Sequence, residues 1–322
     1  MALSEAQVAQ YERDGFLIVE DLFQDRDLQP VIDEVAQQVD NLAQRLFDAG
    51  KIKSTYADRD HHARMGAIAT DFDEAPGLFQ ISTPMGPELA KLWSSDVLLG
   101  IVGQFIGPDI EGGAIWNVRP KVPENALMTV PWHQDCGYLA PDAQHTPQPA
   151  CWIPLLDVTE ELGCLQVVRG GHRPMGNATH HIEKKIGDPR SWYLYIKEED
   201  LPRGEIVTCE MRKGSVLFLN ENLPHCGVRN RSDKVRWAID VRWLRPSDPT
   251  GIDVLNRGPR MRKAGDPGFR PDMLRWAREE REKYNEWVNR GDGDPLDPTI
   301  DGSWYFARWD ANFRDSPPDA AG

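Results

Sequence analysis

The stretch after Pro108 most constrains how this chain folds. Short segments rich in β-branched and aromatic residues alternate there with Gly and Pro turns, which is typical of successive strands. These segments are 113–119, 151–157, 163–168, 206–209, 215–219 and 235–243. Strands this short and closely spaced predict two sheets packed as a jelly roll. We therefore expect a mainly β fold with α-helical additions.

The segments outside this stretch have helical character. Apolar residues recur at helical spacing between residues 25 and 49, and 88–105 and 271–288 also have helical patterns. Ser4 is suited to cap a first helix that ends at Gly15, and Phe16–Val19 has the composition of a short strand. We expect one domain over 1–322. Its predicted parts are a helical part to about 107, a jelly-roll core at about 108–245, an extension with a helix at about 246–315 and a disordered tail at 316–322.

Composition excludes several classes of partner. The 322 residues carry a net charge of −14 and show no basic stripe, which argues against a nucleic-acid-binding protein. We find no stretch with the length and apolarity of a membrane helix and no signal peptide. The five cysteines are scattered without a CxxC pair, which favours reduced thiols in a cytoplasmic protein. The sequence does not predict an oligomeric state.

A metal-ligand pattern lies in the run 131–138, PWHQDCGY. On an extended backbone His133 and Asp135 point the same way, while Gln134 points elsewhere. His225 follows the strand-like segment 215–219, and a closed sheet can bring it to the same place. Two imidazoles and one carboxylate on one face of Fe(II) leave other positions open for a cosubstrate and O₂.

The alternative interpretation is a chance HxD triplet with unrelated histidines. Arg236, on a strand eleven residues after His225, makes chance less attractive. We interpret His61, His62, His180 and His181 as solvated, and the two remaining histidines as structural or exposed.

These motifs resemble the phytanoyl-CoA dioxygenase family of Fe(II)/2-oxoglutarate oxygenases. The family's WHQDxxY run is intact from Trp132 to Tyr138, and a similar NGCLQVVPGSH-like turn occupies 162–172. A GDVLLF-like strand follows at 214–218, and His225 and Arg236 match the family's distal His and Arg. The likeness covers about 1–40 and 110–245.

The resemblance implies a double-stranded β-helix core, cupin-like and flanked by helices, that binds Fe(II) and 2-oxoglutarate. It implies His133, Asp135 and His225 as ligands, with Arg236 on the far carboxylate of 2-oxoglutarate. A guanidinium fork suits that role because it matches a carboxylate bidentately and stays charged.

Further pocket residues are also implied by the resemblance. Gln134 and Trp152 match family positions that line the cosubstrate pocket. Arg119 and Lys121 lie near a position where the family often has a basic residue, although a solvated role is equally compatible with the sequence. The family usually has Ser two residues after the distal His, and this chain has Gly227 there, which leaves the role of that hydroxyl open to another donor.

The implied reaction is hydroxylation of an unactivated C–H bond of a small molecule by O₂, with release of succinate and CO₂. Related halogenases replace the carboxylate ligand with a small residue, so Asp135 favours hydroxylation; desaturation or ring formation stays open. We expect Tyr138, Trp116, Met128 and Arg119 near the substrate, and the insertion 176–204 as a lid. The alternatives are a non-catalytic jelly-roll binding protein that retains the motif, and a Zn(II) hydrolase, for which no HExxH is present.

Overall fold

The computed structural model describes residues 2–125, 128–173, 178–182, 193–252 and 257–289. The helices of this part are α1 Glu5–Asp14, α2 Asp25–Asp48, α3 His61–Asp71, α4 Ala75–Ser82, α5 Pro87–Trp93, α6 Asp96–Ile106 and α7 Met273–Asn289. Its strands are β1 Phe16–Val19, β2 Ile110–Gly112, β3 Asn117–Lys121, β4 Ala150–Pro154, β5 Leu165–Val168, β6 His181–Ile182, β7 Leu194–Tyr195, β8 Ile206–Cys209, β9 Val216–Leu219, β10 His225–Gly227, β11 Arg236–Leu244 and β12 Arg260–Arg262.

The larger sheet has seven strands and antiparallel pairing. Its order is β1-β9-β4-β11-β2-β12, and β3 also pairs with β11. The nine-residue β11 is the longest strand and contacts β2, β3 and β4, so it organises the sheet. Trp237 and Ile239 of β11 face the main core, which the helices cover on the outside.

A smaller sheet, ordered β10-β5-β8, faces the larger one. Trp152 and Leu217 of the larger sheet share an apolar cluster with Leu165 and Val167 of the smaller sheet. Two antiparallel sheets with apolar inner faces confirm the predicted jelly roll with flanking helices.

The predicted N-terminal helix and the predicted helix at 25–49 are both confirmed. The side chain of Ser4 accepts a hydrogen bond from the Gln7 N–H, and Gly15 ends α1 at φ 80°. Glycine suits that left-handed conformation because it lacks a Cβ. The amphipathic pattern of 25–49 forms α2.

One other helical prediction needs correction. The stretch 88–105 forms two helices rather than one, because the Ser95 side chain accepts a hydrogen bond from Leu98 N–H and starts α6 anew. The polar stretch 50–80, for which we made no prediction, contains α3 and most of α4, and Asp60 caps α3 by accepting from the His62 and Ala63 N–H groups.

The predicted division into parts stays a prediction, since the tail 316–322 and the end of the extension lie outside the described residues. The sheet also recruits β1 and β12 from outside the predicted core range.

We expected no stretch with the length and apolarity of a membrane helix, and this was wrong for one stretch. Within the described part, Pro87–Ile106 is long and apolar enough to cross a membrane by length and composition. Half of that stretch is buried inside the protein, where α6 contributes Leu98, Ile101 and Val102 to the main core.

Candidate metal centre

The three predicted metal ligands lie close together in the structure. His133 and His225 form a two-residue antiparallel bridge, in which each backbone N–H donates to the other's carbonyl at 3.0 and 2.9 Å. Gln134 is extended, and Asp135 then begins a short 3-10 helix. The ligand atoms of His133, Asp135 and His225 all lie within 4.8 Å of one another.

Backbone carbonyls set the tautomer of both imidazoles. His133 Nδ1 lies 2.8 Å from the Pro131 carbonyl oxygen, and His225 Nδ1 lies 3.0 Å from the Leu223 carbonyl oxygen. A carbonyl can only accept, so both Nδ1 atoms carry the proton and both Nε2 atoms keep a lone pair for a metal. Burial lowers the pKa of His225 to about 4, which keeps that imidazole neutral.

A buried charge network holds Asp135 in place. Arg242 donates to Asp135 Oδ2 through Nε at 3.0 Å and Nη2 at 2.8 Å, and through Nη1 to Asp240 Oδ1 at 2.8 Å. Asp240 also accepts from Arg119 and from Asn117 Nδ2. Burial acts to raise the pKa of Asp135, but Arg242 and the two histidines outweigh it, so the pKa lies well below its usual value.

Arg236 is buried beside this cluster, and no carboxylate of the described residues pairs with it. It is 2% exposed, and its Nε and Nη1 make no hydrogen bond within the described part. The guanidinium lies 5.2 Å from the centre of the Trp152 ring, and both residues line a cavity together with the three candidate ligands. Burial lowers the pKa of Arg236 to about 9. A buried, unsatisfied guanidinium beside a metal cluster fits a carboxylate ligand.

Lys121 stands next to Arg236 across the β3–β11 pair. It is 2% exposed, and its Nζ donates to the Val228 carbonyl at 2.5 Å. A Cβ at Gly227 would lie 2.8 Å from this Nζ, so the missing side chain leaves room for the ammonium. Burial, and then the charge of Arg236, lower the pKa of Lys121 well below its usual value.

A second and larger cavity opens on the other side of His133 and Asp135. Its volume is about 790 Å³ with the open mouth included. Tyr138, Arg119 and Glu221 line it, together with apolar groups such as Ile252. Its position beside the candidate ligands gives it direct access to a bound metal.

The structure brings most of the predicted pocket residues to these two cavities, but not all. Met128 and Trp152 line the smaller cavity, Tyr138 lines the larger one, and Arg119 lines both. Trp116 instead packs against the main core and lines neither cavity.

The predicted cosubstrate residue Gln134 also lies outside both cavities. Gln134 is 1% exposed, and its side-chain amide forms hydrogen bonds with two backbone groups. It donates to the Asn222 carbonyl at 2.5 Å and accepts from the Ala178 N–H at 2.8 Å. Gln134 therefore tethers neighbouring loops, because its side chain alternates away from those of His133 and Asp135.

The interpretation of four histidines as solvated was wrong. None of them is fully exposed: His180 accepts a hydrogen bond from the Gln134 N–H at 3.0 Å, and His61 stacks on Trp237 at 4.9 Å. Burial lowers the pKa of His180 and the pKa of His61 to about 4. All four histidines are half-buried by tertiary contacts, which the local polarity of the sequence did not indicate.

Three charged residues of the site were not predicted from the sequence, namely Asp240, Arg242 and Glu221. The alternation of β11 places Asp240 and Arg242 on the same face as Arg236, so the strand pattern could have identified both. Glu221 lies in the turn between β9 and β10, where no pattern marks it.

The fold and the cluster together define the class: a jelly-roll protein with two histidines and one carboxylate, arranged as in non-haem iron oxygenases. The profile of the phytanoyl-CoA dioxygenase (PhyH) family matches residues 11–238, and the chain belongs to this family. The predicted resemblance is thereby confirmed, and the protein is an Fe(II)/2-oxoglutarate-dependent oxygenase.

Curated relatives agree with this assignment. The peroxisomal phytanoyl-CoA dioxygenase of Mus musculus is 28% identical over 251 residues, 76% of this chain and 69% of the relative. The ectoine dioxygenase of Bordetella parapertussis is 25% identical over 248 residues, 72% of each chain.

Solved structures show the same fold. The non-heme monooxygenase ThoJ aligns with a TM-score of 0.59 at 15% identity, over 95% of this chain and 98% of that chain. EctD from S. alaskensis, with 2-oxoglutarate and 5-hydroxyectoine, aligns with a TM-score of 0.52 at 17% identity, over 84% and 83% of the two chains.

Proposed function

We propose that this enzyme hydroxylates an unactivated C–H bond of a small molecule. One substrate, one 2-oxoglutarate and one O₂ would give the alcohol, succinate and CO₂. The observation that carries this proposal is the buried Arg236 guanidinium, whose Nε and Nη1 have no described hydrogen-bond partner. It lines the same cavity as His133, Asp135 and His225. A metal alone would not require that buried cation, whereas a dicarboxylate cosubstrate would.

We assign the iron to the two Nε2 atoms and the Asp135 carboxylate. Bound Fe(II) supplies the activation of O₂. His133 and His225 keep their lone pairs available because their Nδ1 protons are held by backbone carbonyls. Arg242 keeps Asp135 ionised and fixes its orientation. The carboxylate at this position favours hydroxylation over halogenation.

The cosubstrate would lie in the smaller cavity. Arg236 would bind its far carboxylate, and Trp152 would cover the guanidinium face. Lys121 supports the same assignment. Its ammonium lies next to Gly227, the position where the family usually has a serine, and its neighbour across the strand pair is the cation Arg236. Two adjacent buried cations with only a backbone carbonyl as a described partner are stabilised by an anion.

The substrate would enter the larger cavity, where Tyr138 and Arg119 line the wall beside the metal. The relatives are named for phytanoyl-CoA and ectoine, which differ greatly in size. They support a small-molecule substrate without selecting one.

Anaerobic titration tests the proposal. Fe(II) with 2-oxoglutarate should give a weak visible charge-transfer band, which Asp135→Ala abolishes through loss of iron. Arg236→Ala should keep iron binding but weaken 2-oxoglutarate, since losing a buried charge-assisted pair costs ~2–5 kcal/mol. Arg26→Ala, at a side chain 83% exposed, is the control and should change neither.

Two outcomes would contradict the proposal. Unchanged 2-oxoglutarate affinity in Arg236→Ala would remove the role given to that residue. Wild-type protein that forms no band would favour a non-catalytic binding protein that retains the motif.

We also infer a cytoplasmic location. All five cysteines are free and buried, which suits a reducing compartment. Several relatives are named as peroxisomal, so a fluorescent fusion imaged with a peroxisomal marker tests this inference.

A further inference from the structure

The larger cavity contains one acidic side chain that the roles assigned above do not use. Glu221 lies in the turn between β9 and β10, is 5% exposed, and lines this cavity together with His133 and Asp135. Its backbone carbonyl accepts from the Cys136 N–H at 3.0 Å. That bond fixes the Glu221 turn directly to the segment that carries Asp135.

The described donors to the Glu221 carboxylate are both neutral. Oε2 accepts from the Gln148 N–H at 3.2 Å, and Oε1 accepts from Asn222 Nδ2 at 3.1 Å. Among the residues that the structure describes, no salt bridge joins this carboxylate to a Lys, Arg or His. Burial raises the pKa of Glu221 to about 7. A carboxylate removed from water without a cation is destabilised, and a bound cation would reverse this.

The other charges around the cavity already compensate one another. Arg242 pairs with both Asp135 and Asp240, and Arg119 pairs with Asp240. Among the charged side chains that line this cavity, Glu221 therefore lacks a described counter-charge. The cosubstrate cavity has the opposite imbalance, since Arg236 and Lys121 are its surplus charges.

Two aromatic residues line the same space. Tyr138 and Tyr193 border the larger cavity together with Glu221. Aromatic faces attract organic cations, most strongly where water is excluded. A carboxylate and two tyrosines on the wall of one cavity are a combination suited to an alkylated ammonium or a guanidinium.

We propose that Glu221 binds a basic nitrogen of the substrate, so that the enzyme acts on small molecules bearing a protonated amine or guanidinium. This inference rests on the proposed function, because it takes the larger cavity as the substrate site. It deepens that function by naming a substrate class. Glu221 would orient the cation, and the carbon to be hydroxylated would project toward the metal.

Matched small molecules test the proposal. Hexylammonium, hexan-1-ol and hexanoate share a chain length, and benzylammonium, benzyl alcohol and benzoate provide a second series. We expect each ammonium to perturb the charge-transfer band of the anaerobic Fe(II)- and 2-oxoglutarate-loaded enzyme at concentrations about tenfold or more below its alcohol, with the carboxylates weakest. Glu221→Gln should remove this preference.

The controls separate this inference from the proposed function. Glu205→Gln, whose side chain is 66% exposed, should behave as wild type. Calorimetric titration of the ammonium compounds into metal-free protein measures their affinity for the Glu221 site without iron or 2-oxoglutarate. Thermal melting checks that Glu221→Gln is folded, and Glu221→Asp should retain part of the ammonium preference.

The inference is overturned if wild type binds the alcohols or carboxylates as well as the ammonium compounds. It is equally overturned if Glu221→Gln retains the preference. Failure of the charge-transfer band in wild type, with the ammonium preference intact by calorimetry, would instead count against the oxygenase assignment alone.

Discussion

At the level of single residues, small backbone choices decide what the site can bind. The carbonyls of Pro131 and Leu223 fix the imidazole tautomers, and the absence of a side chain at Gly227 leaves space for Lys121. Gly163 contributes to the same space, since a Cβ there would lie 2.7 Å from Lys121 Cδ. The lysine and the two glycines therefore form one unit.

That unit gives a prediction for paired variants. Lys121→Ala should weaken 2-oxoglutarate about tenfold or more, because a buried charged donor is lost. Adding Gly227→Ser to Lys121→Ala should recover part of the affinity, since the hydroxyl then fits the vacated space. Anaerobic titration of the charge-transfer band measures both. A double variant that binds no better than Lys121→Ala would show that the lysine does not replace a serine.

At the level of elements, β11 serves the core and the site with opposite faces. Trp237 and Ile239 pack into the main core, while Arg236, Asp240 and Arg242 face the cavities. The period of two along a strand makes this possible, and pairing with β3 and β4 holds the register.

The two faces should respond differently to substitution. Ile239→Ala should lower the free energy of unfolding by ~2–5 kcal/mol, because Ile239 is 1% exposed and its removal leaves a cavity. Ile206→Ala is the matched control on β8, where the side chain is 54% exposed, and it should change stability by less than ~0.5 kcal/mol. Urea unfolding measures both, and equal losses would contradict the assigned core.

At the level of the whole molecule, helices close the outer face of the larger sheet. α3 contributes His61, which stacks on Trp237, and the Trp237 Nε1 donates to the His61 carbonyl at 3.1 Å. Burial lowers the pKa of His61 to about 4, and its Nε2 makes no hydrogen bond within the described part. The helical layer thus packs on the sheet through a neutral imidazole.

The pKa of His61 gives a pH dependence with a definite sign. Between pH 6.5 and about 4 the unfolded chain protonates this histidine and the folded protein does not, so the unfolded state binds more protons. Stability should therefore fall as the pH is lowered through this window. In His61→Phe the fall in melting temperature should be smaller, and thermal melts at pH 7, 6, 5 and 4 measure it. Identical slopes in both proteins would contradict the assignment.

Much of the fold and the metal cluster could be predicted because their signals are local or specific. Alternation identified β11 and its two faces, and helical spacing identified α2. The spacing of His133, Asp135, His225 and Arg236 led to the family. Trp116 and Gln134 were expected in the pocket. Trp116 instead packs against the main core, and the Gln134 side chain forms hydrogen bonds with neighbouring loops.

The sequence by itself determined the class of fold and the candidate ligand types, since these depend on period and side-chain chemistry, and its family resemblance implied the cosubstrate role proposed for Arg236. The tertiary structure alone decided how the charges balance. It paired Arg242 with two aspartates, placed Lys121 beside Gly227 and left Glu221 without a described counter-charge. Such balances depend on distances between residues far apart in the chain, because Coulomb energy and burial act through space.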